Sequence, residues 1–336
     1  MSRASCLLVA CALAACTPAG SPADAPTPSE SVLGASADAA GAARSQPAAP
    51  PRPRAYGRPR AIGRFPVPLA PEASGLAASR RNPGVLYVLD DGPGVHEVLA
   101  LDTQGQRRWR LNVEGLNGRD TEALAVGPCA AQERRSCVYI GDIGDNQGER
   151  EAIVVYRFVE PKLDQRGSRS VRPDVAVLRY PTTATDAEAL IVGPDARLVI
   201  IAKAAFDSGT GRTAATRVYT SQSFGDGTLR GIGRLDVPDP VTPLRSLLTG
   251  NVVTDADFQD GRLLVLTYDH VVEFTPRSAA GLGALDQWRP RAVPWPPLPQ
   301  GEAITYAQRG CGYYGVSEGD GDVWFVPCVA REASIP

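Results

Sequence analysis

The chain's 336 residues suffice for one large domain or two modest ones. Thirty-five basic residues against 37 acidic ones leave a net charge of −2, without the basic excess that nucleic-acid binding requires. Thirty-four Gly, 30 Pro and a single Met speak against a helical bundle, and two His in the whole chain exclude most zinc and Ser-His-Asp chemistry.

Arg3 precedes a short apolar stretch, Cys6 to Ala15, that closes as Leu13-Ala14-Ala15-Cys16. A basic start, an apolar run too short to span a bilayer and a small-residue exit describe an export signal over residues 1–15. The closing tetrapeptide resembles the bacterial lipobox, which implies cleavage before Cys16 and a lipid on its sulfur. Thr17 follows, so the Asp that retains lipoproteins in the inner membrane is absent, and an outer-membrane anchor facing periplasm or surface is expected. Residues 16–59 are dominated by Ala, Pro, Ser and Gly. They cannot bury enough surface to offset their ordering entropy, and are read as a tether. The later cysteines, Cys129, Cys137, Cys311 and Cys328, form an even set suited to an oxidising compartment. Sequence proximity favours Cys129–Cys137 and Cys311–Cys328, while a four-cysteine zinc site lacks the usual short spacing.

From residue 60 onward the pattern is short strands between turns. A fragment made of an acid, a small residue and an apolar run recurs at Glu72, Glu122, Glu188, Asp257 and Glu302. Repeats of this length mark propeller blades. Three further strands follow each of the first four fragments, and two follow the last before the chain stops. The expected fold is therefore all-β: a single β-propeller over residues 60–336, with five four-stranded blades. An N-terminal strand, Ile62–Leu69, completes the fifth blade and removes the open edges. Six blades, with one hidden between Glu188 and Asp257, are the alternative.

In this architecture the start of each blade's first strand and the end of its second share one face. That face would carry Glu72 with Asp90 and Asp91, Asp120 and Glu122 with Asp142, Asp145 and Asn146, Asp186 and Glu188 with Lys203, Asp255 and Asp257 with Asp269, and Glu302 with Glu318. So many carboxylates at one channel mouth must raise one another's pKa or recruit cations. Glu72, Glu122, Glu188, Asp257, Glu302 and Asp145 are the expected metal ligands. Oxygen donors without His suit Ca²⁺ before Mg²⁺. Glu122, Asp142, Glu318, Lys203 and Arg150 are the expected ligand-binding residues, the two bases neutralising part of the ring or holding an anion. Asp and Glu at strand starts also cap turns, which is the competing reading. Gly315-Val316-Ser317-Glu318-Gly319 matches the serine-hydrolase elbow literally, but strand follows it and both His lie upstream.

Asp120-Thr121-Glu122-Ala123-Leu124-Ala125, followed by Tyr139-Ile140-Gly141-Asp142-Ile143-Gly144-Asp145-Asn146 with Arg150, resembles a group of bacterial exported propellers without an established activity. At a greater distance the chain is similar to phytase-like and gluconolactonase-like propellers, whose channel acids hold divalent metal. The Asn-rich metal set of the lactonase group is not recognisable here. The expectation is a lipid-anchored extracytoplasmic propeller, monomeric and without a nucleic-acid partner, that binds an unidentified small molecule or envelope partner with a divalent cation at its channel mouth. The alternatives are a metal-dependent hydrolase of phosphoesters or lactones, and a protein-interaction scaffold.

Overall fold

A computed structural model describes residues 51, 53–238, 249–268, 270–277, 281–298, 300–309 and 311–329. The expected signal segment, Cys16, most of the tether and Asp269 lie outside the described residues. Among the described residues, no helix is long and apolar enough to cross a membrane.

Five antiparallel sheets follow one another along the chain. Blade 1 comprises Ala73–Ala78, Val85–Asp90, Glu97–Asp102 and Arg107–Val113, from the innermost strand outward. Blade 2 comprises Thr121–Pro128, Ser136–Asp142, Ile153–Val159 and Asp174–Arg179. In blade 3 the order is Ala187–Val192, Leu198–Ala202, Thr216–Thr220 and Arg230–Leu235. Blade 4 runs Val253–Gln259, Arg262–Thr267, Val271–Pro276 and Trp288–Val293. Blade 5 has Gly301–Tyr306, Gly312–Ser317 and Asp322–Pro327, and its outer strand is the N-terminal Arg60–Arg64. The innermost strands pack on one another in sequence, and the fifth packs back on the first, so the ring is closed. The molecule is a five-bladed β-propeller.

The closing strand differs from expectation in extent. It ends at Arg64, because Pro66 precedes a single 3₁₀ turn, Val67–Leu69. The chain also joins the domain earlier than residue 60. Tyr56 forms a β-bridge with Cys328 and stands edge-on to Tyr313, with ring centroids 5.0 Å apart.

The core is divided as a propeller requires. Innermost strands are buried on both faces, which explains their nearly continuous apolar runs. Along Thr121–Pro128, Ala123 and Ala125 pack toward blade 3, whereas Leu124 and Val126 pack toward blade 1. Five apolar clusters result, one at each junction between neighbouring blades. Two junctions have an added tie that the sequence did not suggest. The segment leading to blade 2's outer strand contributes Gly167–Val171, which pairs in parallel with Arg107–Val113 of blade 1. Gly227–Thr228 of blade 3 likewise pairs in parallel with blade 2's outer strand. Disulfides join Cys129 to Cys137 and Cys311 to Cys328, as sequence proximity predicts.

Candidate functional site

Each innermost strand carries a bulge at its second residue, seen as a break in pairing between residues 73 and 75, 121 and 123, 187 and 189, 253 and 255, and 301 and 303. A bulge re-aims one side chain out of the regular alternation. The five bulge residues are Ser74, Glu122, Glu188, Thr254 and Glu302. Two of them tie blades together: Ser74 Oγ donates to the carbonyl of Thr121 at 2.6 Å, and Thr254 Oγ1 to that of Gly301 at 2.8 Å. The other three are glutamates. They gather at the channel opening and act on one another electrostatically, Glu122 with Glu188 and Glu188 with Glu302.

The structure thus separates the five acids matched by sequence into three kinds of position. Glu122, Glu188 and Glu302 are equivalent. Glu72 lies two residues before its blade's bulge, level with Asp120 and Asp186, and is exposed. Asp257 lies three residues beyond its bulge, further down the strand. There its carboxylate accepts N–H from Phe258 and Tyr306, both at 2.7 Å, and O–H from Thr305 at 3.0 Å. Asp257 therefore fastens blade 4 to blade 5 and is not brought to the glutamates.

Asp145, Asp142 and Arg150 are likewise committed to local structure. Asp145 accepts the N–H groups of Glu149 and Arg150 at 2.9 and 3.0 Å, closing the turn after blade 2's second strand. Asp142 accepts from Arg150 Nη1 at 2.7 Å and from the Asp120 N–H at 3.0 Å. The Arg150 guanidinium spends its remaining donors on the carbonyls of Asp142, Gly144 and Ala152. Both side chains of this ion pair are 5 % exposed, so neither is open to a ligand.

Asp91 and Asp120 join Glu122 instead. One carboxylate oxygen from each lies within 4.8 Å of the others. Gly144 makes this approach possible, because a Cβ there would stand 2.5 Å from Asp120 Cγ and 2.8 Å from Glu122 Cγ. The sequence places Asp91 and Asp120 on this face, just past one strand and just before another, but not among the expected metal ligands. Tyr268, in the corresponding place on blade 4, carries no sequence signal. It is electrostatically close to Lys203, Glu302 and Glu188.

Lys203 is the basic centre of the opening. Its ammonium is paired with Glu188 and lies 3.9 Å from Asp186. Burial works against that charge, but Glu188 outweighs it and holds the lysine well above its ordinary range. Glu122 lacks such a partner. Burial first, then the charges of Glu188, Asp91 and Asp120, raise its carboxyl strongly and favour its protonated form. Asp91 is pushed up to about 6 by burial, with Asp120 and Glu72 adding to it. Glu302 is pushed up to about 8 by burial, against the hydrogen bond that Gln300 gives it at 2.6 Å. Gln300 also bridges to Glu318, which brings that residue to the rim. The opening is thus an oxygen-rich site short of positive charge on the Asp91–Asp120–Glu122 side.

Two further sequence motifs stay outside this chemistry. Ser317 Oγ donates to the Gln300 carbonyl, and the strand Asp322–Pro327 follows it in place of a helix. His270 has Nδ1 on Thr267 and Nε2 on the Pro238 carbonyl.

No protein-family model and no curated protein matches the chain. Solved structures similar to it include the PQQ-bound aldose sugar dehydrogenase of Streptomyces coelicolor, at 13% identity and a TM-score of 0.46, covering 84% of this chain and 100% of that one. A glucose dehydrogenase of Thermus thermophilus aligns at 12% identity and a TM-score of 0.43, covering 80% and 99%. A gluconolactonase of Xanthomonas campestris aligns at 14% identity and a TM-score of 0.37, covering 73% and 69%. These are likenesses of fold.

Proposed function

We propose that the chain is a lipid-anchored extracytoplasmic propeller that binds a divalent cation, and through it a ligand, at the acid-lined opening of its channel. The observation that carries this reading is the convergence of Asp91, Asp120 and Glu122 from two blades onto one point. Carboxylate oxygens alone favour a hard cation, Ca²⁺ before Mg²⁺. A bound cation would offset both the burial and the neighbouring negative charges that raise the Glu122 carboxyl. Lys203, across the opening, is placed to face an anionic group on the ligand. The two disulfides agree with an extracytoplasmic setting.

Thermal melts of the full chain in EDTA and in Ca²⁺, repeated with Glu122→Gln, test the reading. Ca²⁺ raises the melting temperature of the wild type, and the variant loses most of that gain. Equal melting with and without Ca²⁺ removes the cation from the account. Should Ca²⁺-dependent turnover of generic phosphoester or lactone substrates appear as well, the same site is that of a hydrolase, the cation polarising the scissile group.

A further inference from the structure

We infer that the opposite face of the propeller carries a second, separate site, which binds a phosphorylated anion. Two loops on that face, each joining the first and second strands of its blade, present an Arg-Arg pair: Arg80-Arg81 in blade 1 and Arg134-Arg135 in blade 2. Together they line a cavity of about 270 Å³ with Pro128, Glu133 and Ser136. All four arginines are exposed. Arg135 is paired with Glu133, whereas the guanidinium groups of Arg80, Arg81 and Arg134 have no hydrogen-bonded or ion-pair partner among the described residues.

The two loops are held rigidly in place. Glu160, 1 % exposed at the end of blade 2's third strand, accepts from Ser79 Oγ and the Arg81 N–H in one loop and from Ser136 Oγ in the other. It also accepts from the Tyr87 hydroxyl at 3.2 Å. The Cys129–Cys137 disulfide clamps the second loop on its own blade. A buried carboxylate that staples the two arginine-bearing loops together fixes the backbone positions from which their side chains reach the cavity. Such planar forks match the oxygens of a phosphate bidentately, which lysines do not. The phosphate can belong to a free phosphomonoester or to a lipid headgroup, since the chemistry presented is the same.

The test uses the full chain carrying Cys16→Ser throughout, so that no acyl chain contributes. Broadening of the ³¹P resonances of inorganic phosphate and glycerol 3-phosphate reads soluble binding, and flotation with phosphatidic acid in phosphatidylcholine vesicles reads headgroup binding. Binding to either probe is expected, weakened about tenfold or more in Arg81→Gln/Arg134→Gln. Arg81→Lys/Arg134→Lys keeps the charge and loses about threefold, because the fork is gone. Soluble binding identifies a free anion as the ligand, and flotation alone identifies a lipid. Absence of binding to both probes, or equal binding by the Gln variant, overturns the inference. All four side chains are exposed, so the variants are expected to fold, and an unchanged melting curve checks this.

Discussion

At the scale of single residues, one bulge position per blade decides what each side chain does. The same backbone feature offers a hydroxyl at Ser74 and Thr254, where it links neighbouring blades, and a carboxyl at Glu122, Glu188 and Glu302, where it faces the opening. The glutamates were legible in the sequence because an acid before a small residue and an apolar run repeats. The register was not. Glu72 and Asp257 fit the same pattern, yet a bulge inserts a residue without leaving a mark in composition, so acids two residues before and three residues after it look alike. The raised carboxyls give the site a definite pH behaviour. Below about pH 4 they are protonated in folded and unfolded chains alike. Above it the unfolded chain loses those protons, while folded Asp91 keeps its proton to about 6 and Glu302 to about 8. Stability from these groups is therefore fully present at low pH and lost as pH rises through the folded values. Cation-free protein should melt several degrees lower at pH 8 than at pH 5 by scanning calorimetry, with a smaller difference in Glu302→Gln. A melting temperature that rises across this interval would contradict the charge assignment.

At the scale of elements, the segment Gly141 to Arg150 had the densest array of candidate ligands in the sequence, and most of it proves to build a turn. Asp142 and Arg150 form a buried pair that also satisfies backbone groups on both sides, and Asp145 caps the turn. Sequence shows which side chains are able to ligate, but not which have already been consumed by main-chain donors. Only Gly144, by lacking a side chain, serves the opening directly. Replacing Arg150 by Gln leaves Asp142 buried without its charge partner, which should cost about 3–5 kcal/mol. Urea unfolding measures it, and a loss below about 1 kcal/mol would mean that the pair is more open to water than its 5 % exposure implies.

At the scale of the whole molecule, the ring and its closure were readable in advance. Turn-bounded strands, a repeated first-strand fragment and a last blade one strand short led to a five-bladed propeller closed by the N-terminal segment. Cysteines near one another in sequence found each other within blades 2 and 5. The parallel ties between blades 1, 2 and 3 carry no sequence signature, because Gly167–Val171 is polar and Gly227–Thr228 has only two residues, neither showing strand periodicity. Closure matters for chemistry, since only a continuous ring brings Asp91 of blade 1, Asp120 and Glu122 of blade 2, Lys203 of blade 3, Tyr268 of blade 4 and Glu302 of blade 5 to one opening. The most direct test is an anomalous difference map from crystals grown with Ca²⁺ and then exchanged into Tb³⁺. A single strong peak within about 2.3–2.6 Å of carboxylate oxygens from Asp91, Asp120 and Glu122 is the result expected. A map with no peak at these three residues, or with its peak elsewhere on the ring, would contradict the assignment of the opening as a cation site.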